Sequence, residues 1–418
     1  MSDDDPKRAA DSGDDAPTRP AGSGEDEPQT GAKSGGGARS GGDAADADGS
    51  PIAAAREADS LRGAAGALVG GLTTAERNVA SALGAFIALL LLFTAAGVIN
   101  PTYLLYLLSL AGMYLLLSMG LNVQWGYTGL INFSVAAFFG LGAYGAALVT
   151  SSDAPITIAA SPLLGLVAGL SLAGILAVLI GIPTLSLRAD YLAIASLGLA
   201  EVVRLIINNE GQWTGGAVGL SGIPRFYENW PVLGDLARGT PTAAANLALV
   251  SVFVVATYLF LRRIHRSPWG RVQRTIRADE DLAKALGKDT FRFKMESFVV
   301  GSLVMALAGV FFAHLQLYLA PTSLLPTQTF YVWIAVILGG TGSDRGAMFG
   351  GFVIIAIREG TRFVGGSLPI DAGPLRLFLI GLIIILVIRY RPEGLLPPQR
   401  ELVWPGASSS QADGGDGQ

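Results

Sequence analysis

Ten apolar runs leave this 418-residue chain few ways to fold; they lie at about 80–99, 103–122, 132–150, 162–183, 191–208, 243–261, 295–316, 328–340, 346–360 and 374–390. A helix needs about 20 apolar residues to cross a bilayer, and most of the runs approach that length. The fold class expected is therefore all-α, a polytopic transmembrane helical bundle of about ten spans (8–10). The eighth and ninth runs are short and punctuated by glycine, so either reads equally as a re-entrant or broken segment. Composition agrees: 51% of residues are hydrophobic and only 15% charged, with a mean hydropathy of +0.48, against about 25% charged in soluble domains.

Charge divides the chain. Residues 1–60 carry fourteen Asp and Glu against six Lys and Arg and have no sizeable apolar run. Such a segment cannot bury enough apolar surface to offset its ordering entropy. We expect a disordered acidic tail over 1–76, a membrane domain over 77–398 and a short tail over 399–418. The start lacks the basic and then apolar pattern of a cleaved secretory signal. There is no cysteine, which removes disulfides, thiolate catalysis and zinc–thiolate sites together.

The longest basic stretch, 262–294, holds ten of the 29 Lys and Arg. Positive loops stay in the cytoplasm, so this loop, the loops near Arg188 and Arg345, and both termini are expected on that side. Arg225 and Arg238 are the main basic residues left outside. Arg358, Arg362 and Arg376 also fall outside, against the rule. Within the basic loop, Asp279-Glu280-Asp281-Leu282-Ala283-Lys284-Ala285-Leu286-Gly287 reads as one short helix, with acids at its positive end and a glycine stop. A small-residue face (Ala283, Ala285) and Leu282 with Leu286 at i, i+4 suit a groove in a partner.

Gly140, Gly142 and Gly145, the pair Gly165 and Gly169, and the pair Gly346 and Gly350 are spaced for close helix packing. Gly126-Tyr127-Thr128-Gly129 and Gly339-Gly340-Thr341-Gly342 resemble one another, each following one span and preceding another. Glu201 and Arg204 lie three apart in the fifth run, close enough to pair, with Asn208 and Asn209 after them. They read either as an ion pair fixing helix register or as part of a translocation path.

Catalytic chemistry finds no footing. The one Gly-Lys pair, Gly287-Lys288, is followed by Asp289 and preceded by Leu282 where a phosphate loop needs glycine. His265 and His314 are too far apart to form a metal site or a Ser–His pair. No catalytic residue, metal or cofactor is expected in this chain, and no nucleic-acid partner.

Six stretches in order resemble one family: LNVQWGYTGLINFSVAAFFGLGAYGAALV (121–149), LRADYLAIASLGLAEVVRLIINN (187–209), TGGAVGLSGIP (214–224), SPWGRVQRTIRADEDLAKALG (267–287), VILGGTGSDRGAMFGG (336–351) and RPEGLLP (391–397). Over about residues 100–398 the chain is similar to the inner-membrane permease subunit of branched-chain amino acid ABC transporters, the LivM-like type. The resemblance implies a second homologous permease, two ATPase subunits that bind the ATP, an extracytoplasmic substrate-binding protein and a place in the cell membrane. It also implies that residues 279–288 dock on an ATPase as the coupling element. The chain departs from the pattern in its acidic extension and in charged Asp344 and Arg345, which would alter a loop facing an ATPase. Two other readings stand beside it. One is an autonomous secondary transporter, which would need coupling-ion sites among charges that the spans offer only at Glu201 and Arg204. The other is an ABC permease for another small solute such as urea, an amide or a sugar.

Overall fold

A computed structural model describes residues 74–97, 99–155, 160–228, 239–365 and 372–398. Of the expected tails, residues 1–73 and 399–418 lie outside the described residues, as does Arg238, while 74–76, expected in the first tail, belong to the helix that begins at Thr74. Helices cover every apolar run: α1 Thr74–Ala95, α2 Pro101–Leu121, α3 Val135–Thr150, α4 Pro162–Thr184, α5 Ala189–Asn209, α6 Thr240–His265, α7 Pro268–Ala278, α8 Glu280–Ala285, α9 Thr290–Gln316, α10 Pro326–Gly339, α11 Asp344–Gly365 and α12 Ala372–Tyr390. Among the described residues the nearest thing to a sheet is one isolated antiparallel bridge, Leu220 with Leu319. The fold is an all-helical membrane bundle.

Local chemistry sets the helix ends. Proline opens α2, α4, α7 and α10, where its missing N–H costs nothing. Asn100 caps α2 by accepting from the Thr102 amide at 2.9 Å. α2 runs on through a π-helical turn, Asn122–Tyr127, to 27 continuous residues.

Five helices are long and apolar enough to cross a membrane by length and composition: Pro101–Tyr127, Pro162–Thr184, Thr240–His265, Thr290–Gln316 and Gly373–Tyr390. α3 and α10 have 16 and 14 residues. At 1.5 Å per residue, α10 reaches only about 21 Å, short of the ~30 Å hydrocarbon core. The expected break near 328–340 is thus a short helix. The ninth run instead forms one 22-residue helix, α11. The third run starts late: residues 129–134 are non-helical, because the Asn132 side chain accepts from the Ser134 amide at 2.8 Å and donates to Gln124 Oε1 at 2.7 Å. Trp333 Nε1 donates to the Asn132 carbonyl at 3.0 Å, fixing this stretch against α10.

α2 and α9 form the centre, 72% and 67% buried over their apolar windows, whereas α12 is 6% buried. Glycine makes the centre possible. A Cβ on Gly142 would lie 2.2 Å from the Ala306 carbonyl, and one on Gly309 would lie 1.9 Å from that of Phe139, so α3 and α9 touch backbone to backbone. Gly169 meets the Gly142 carbonyl and Gly350 meets that of Ala335. These small residues are used in packing within the chain.

Candidate functional site

α6, α7, α8 and the start of α9 form the basic end of the bundle. Its short helix α8 follows the sequence expectation closely. Asp279 caps it, accepting from the Leu282 amide at 2.9 Å. Gly287 stops it at φ +73°, its amide donating to the Lys284 carbonyl at 2.9 Å while Lys288 N reaches the Ala283 carbonyl at 3.1 Å. Leu282 and Leu286 project outward, 51% and 64% exposed, and Ala285 is exposed beside them. The expected small-residue face needs one correction. Ala283 is fully buried, because this turn of the helix packs back on its own chain, so the outward face is Leu282, Ala285 and Leu286.

Two attachments hold α8. Glu280 accepts from Lys294 Nζ and from Thr290 Oγ1 at 3.2 Å, both on α9, and pairs with Lys284 at 3.2 Å. Partial burial resists ionisation of Glu280, but Lys294 and then Lys284 outweigh it and hold the carboxyl below the usual carboxylate range. Asp281 pairs with Lys284, at 3.4 Å. The second attachment is Arg277, at the end of α7. Its guanidinium donates to the Gly126 carbonyl and to Thr341 Oγ1, the latter at 3.1 Å. Burial pushes its pKa below the ordinary arginine value.

Arg277 thereby joins the two loops that looked alike in sequence. Gly342 N donates to Asn122 Oδ1 at 2.9 Å, and a Cβ on Gly126 would lie 2.6 Å from Gly342 N. Just beyond them sits Asp344, expected on a loop facing an ATPase and found only 8% exposed. Its carboxylate meets His265 Nδ1 at 2.8 Å and accepts from Asn122 Nδ2 at 3.1 Å and Tyr127 OH at 3.4 Å. The His265 ring lies 3.4 Å from Tyr127, nearly parallel to it. A carboxylate surrounded by three donors is a structural knot between α2, α6 and α11. The C-terminal motif closes the same end, with the amides of Leu395 and Leu396 donating to the Leu338 and Gly339 carbonyls at 2.9 Å.

Glu201 and Arg204 pair as their spacing suggests. Arg204 Nε donates to Glu201 Oε2 at 2.9 Å and Nη2 meets Oε1, with side chains 39% and 21% exposed for Glu201 and Arg204. Asn209 Nδ2 turns back to the Leu205 carbonyl at 2.8 Å, and Asn208 is half-buried. The pair and the two asparagines do not meet the residues at the basic end. His314, far from His265 along the chain, faces the Pro224 carbonyl at 2.8 Å. No group of three or more His, Cys, Asp or Glu able to hold a metal occurs among the described residues.

Sequence reasoning counted Glu201 and Arg204 as the charges of the spans. It missed Arg358 and Glu359 inside α11. The breach of the positive-inside pattern by Arg358, noted in the sequence, was the available signal.

A family model described as "Branched-chain amino acid transport system / permease component" matches residues 103–388. "High-affinity branched-chain amino acid transport system permease protein LivM" of Escherichia coli (strain K12) is 30% identical over 323 residues, covering 73% of each chain. "Probable branched-chain amino acid transport permease protein LivM" of Methanocaldococcus jannaschii is 27% identical over 328 residues, 68% of this chain and 91% of that protein. "High-affinity branched-chain amino acid transport system permease protein LivH" of Salmonella typhimurium is 25% identical over 259 residues, 59% of this chain and 80% of that one. No solved structure matches the chain. With the match running unbroken from the first turn of α2 almost to the end of α12, this multi-pass membrane protein belongs to the branched-chain amino acid transport system permease family.

Proposed function

We propose that this chain is the permease subunit of an ATP-driven importer for branched-chain or similar amino acids, and that α8 couples it to an ATPase subunit. In this reading the basic end is cytoplasmic, both termini lie on that side, and ATP is bound by two partner ATPases. A second homologous permease completes the membrane part, and an extracytoplasmic binding protein delivers the substrate. That two kinds of permease, LivM and LivH, are both similar to this chain supports the pairing.

The observation that carries the coupling reading is the contrast within α8. Leu282 and Leu286 stand more than half exposed while Ala283 and Glu280 bind the helix to its own bundle. An exposed apolar pair on a firmly held six-residue helix suits insertion into a partner's groove, and force applied there reaches α2, α9 and α10 through Arg277 and Glu280.

Proteoliposomes test the whole reading. Leucine uptake that needs this chain, the second permease, both ATPases, the binding protein and ATP supports it. Uptake by this chain alone, driven by an ion gradient, overturns it in favour of a secondary transporter.

A further inference from the structure

At the end of the bundle opposite α8 a cavity of about 300 Å³ opens between α2, α3, α9, α10 and α11. That is the lower end of the roughly 300–1,000 Å³ range of small-ligand pockets, room for one amino acid. Exposed Gln316, Thr322 and Arg362 stand at its mouth, and buried Leu117, Val135 and Phe139 line its depth. The apolar residues form only part of the lining, and one wall is charged.

Arg358 and Glu359 form that wall. Both are half-buried within a membrane bundle, where a charge is costly and marks function unless something else requires it. Arg358 Nη1 donates to Tyr114 OH and, at 3.3 Å, to Gln328 Oε1. Tyr114 OH in turn donates to Gln328 Oε1 at 2.5 Å, so the guanidinium is held in place. Its Nη2 makes no hydrogen bond among the described residues, and a guanidinium fork is shaped for a carboxylate. Glu359 is 12% exposed, with its oxygens 3.6 Å from Arg358 Nε and 3.8 Å from Arg362 Nη1. Those separations are too long for hydrogen bonds; the Tyr103 phenol hydrogen-bonds to Glu359, and a carboxylate with about four acceptor sites still has room for an ammonium.

We propose that this cavity binds a zwitterionic aliphatic α-amino acid, with Arg358 taking the α-carboxylate, Glu359 the α-ammonium, and the Leu117–Val135–Phe139 floor the side chain. The assignment rests on the importer reading above and deepens it, placing a substrate site inside this subunit. A neutral amide or sugar needs no such charge pair, and a simple anion or cation would leave one of the two charges opposed.

The test uses the full complex in proteoliposomes with binding protein and ATP, reading uptake and ATP hydrolysis separately. Arg358→Met and Glu359→Gln should each lower leucine uptake about tenfold or more, the scale of a lost charged hydrogen bond, while binding-protein-stimulated hydrolysis continues. Ala136 is buried and lines the cavity beside Val135; Ala136→Val narrows the floor, and the leucine-to-alanine uptake ratio should fall severalfold. That shift in selectivity is one a purely structural role would not produce, and it stands even if an Arg358 variant fails to assemble. Unchanged uptake in the charge variants, or an unchanged ratio in Ala136→Val, overturns the site. Wild-type complex that moves no amino acid would instead bring down the importer reading itself.

Discussion

Arg277 reaches from the last turn of α7 to the carbonyl of Gly126, 151 positions earlier in the chain. A second N–H of the same guanidinium holds Thr341. One side chain thus ties the end of α7, next to α8, to the π turn after α2 and to the loop between α10 and α11. No substitute in the standard set offers two forked donors at that reach.

Arg277→Met should therefore uncouple the complex. Each lost charged hydrogen bond is worth about 1.5–3 kcal/mol, so leucine uptake should fall tenfold or more while ATP hydrolysis continues. Arg277→Lys keeps one contact and should recover part of the uptake. Equal uptake by wild type and both variants, measured in proteoliposomes, would show that the link carries no force.

Leu286→Asp places a charge on a side chain that is already 64% exposed, so the permease should insert and purify normally. Uptake should nevertheless be abolished, because the charge would be desolvated in the partner's groove. Gly287→Pro should act similarly through the helix stop, since proline cannot adopt φ +73°. Ala283→Asp differs: position 283 is fully buried, and that variant should lose yield as well as transport. Transport at the wild-type rate by Leu286→Asp complexes would exclude 279–288 as the docking element.

Glu201→Gln or Arg204→Met leaves one member of the pair alone. Exposed pairs contribute about 0–1 kcal/mol, while breaking a buried one costs about 3–5 kcal/mol. With side chains 21–39% exposed, this pair should fall between those limits. Each single variant should express less well than the double change Glu201→Leu with Arg204→Met. A stable, active double variant assigns the pair to helix register; a stable, inactive one assigns it to the path. Normal expression of both single variants would show that the pairing contributes nothing.

Acid should loosen α8 through Glu280. Its carboxyl is held below the unfolded value of about 4.3, so its contribution is complete above that pH and is lost as pH falls through the lower folded value. Amide exchange over 279–288, corrected for intrinsic rate, should stay constant from neutral pH to near 5 and rise below about 4. Lys294→Met, which removes a Glu280 partner, should raise exchange at neutral pH. Loosening that appears only at alkaline pH would refute this account.

The bundle was legible in advance because membrane helices announce themselves locally. Apolar length marks a span, and Asp279 and Gly287 mark the two ends of α8 from residues only a turn apart. The Glu201–Arg204 pair needed only an i, i+3 spacing. Three features resisted the same reading. Asp344 looked like a surface charge, yet three donors bury it, and each comes from a segment at least 79 positions away. Ala283 and Ala285 are equivalent as letters, but only Ala283 faces the bundle. Residues 129–134 are apolar enough to extend α3, and they stay non-helical because Asn132 and Trp333 hold them.

The sequence by itself determined the helical fold, the basic loop and its short capped helix, which depend on local chemistry along the chain, and the family, through six stretches read in order. Only the tertiary structure decided which loops meet under Arg277, which face of α8 is outward, and that Arg358 stands with Tyr114 and Gln328 against an open cavity. Those arrangements depend on glycine-to-backbone contacts such as Gly142 with Ala306, which fix how deep and at what rotation each helix lies. Apolar length sets a helix's place in the membrane, but carries no information about the neighbour it will touch.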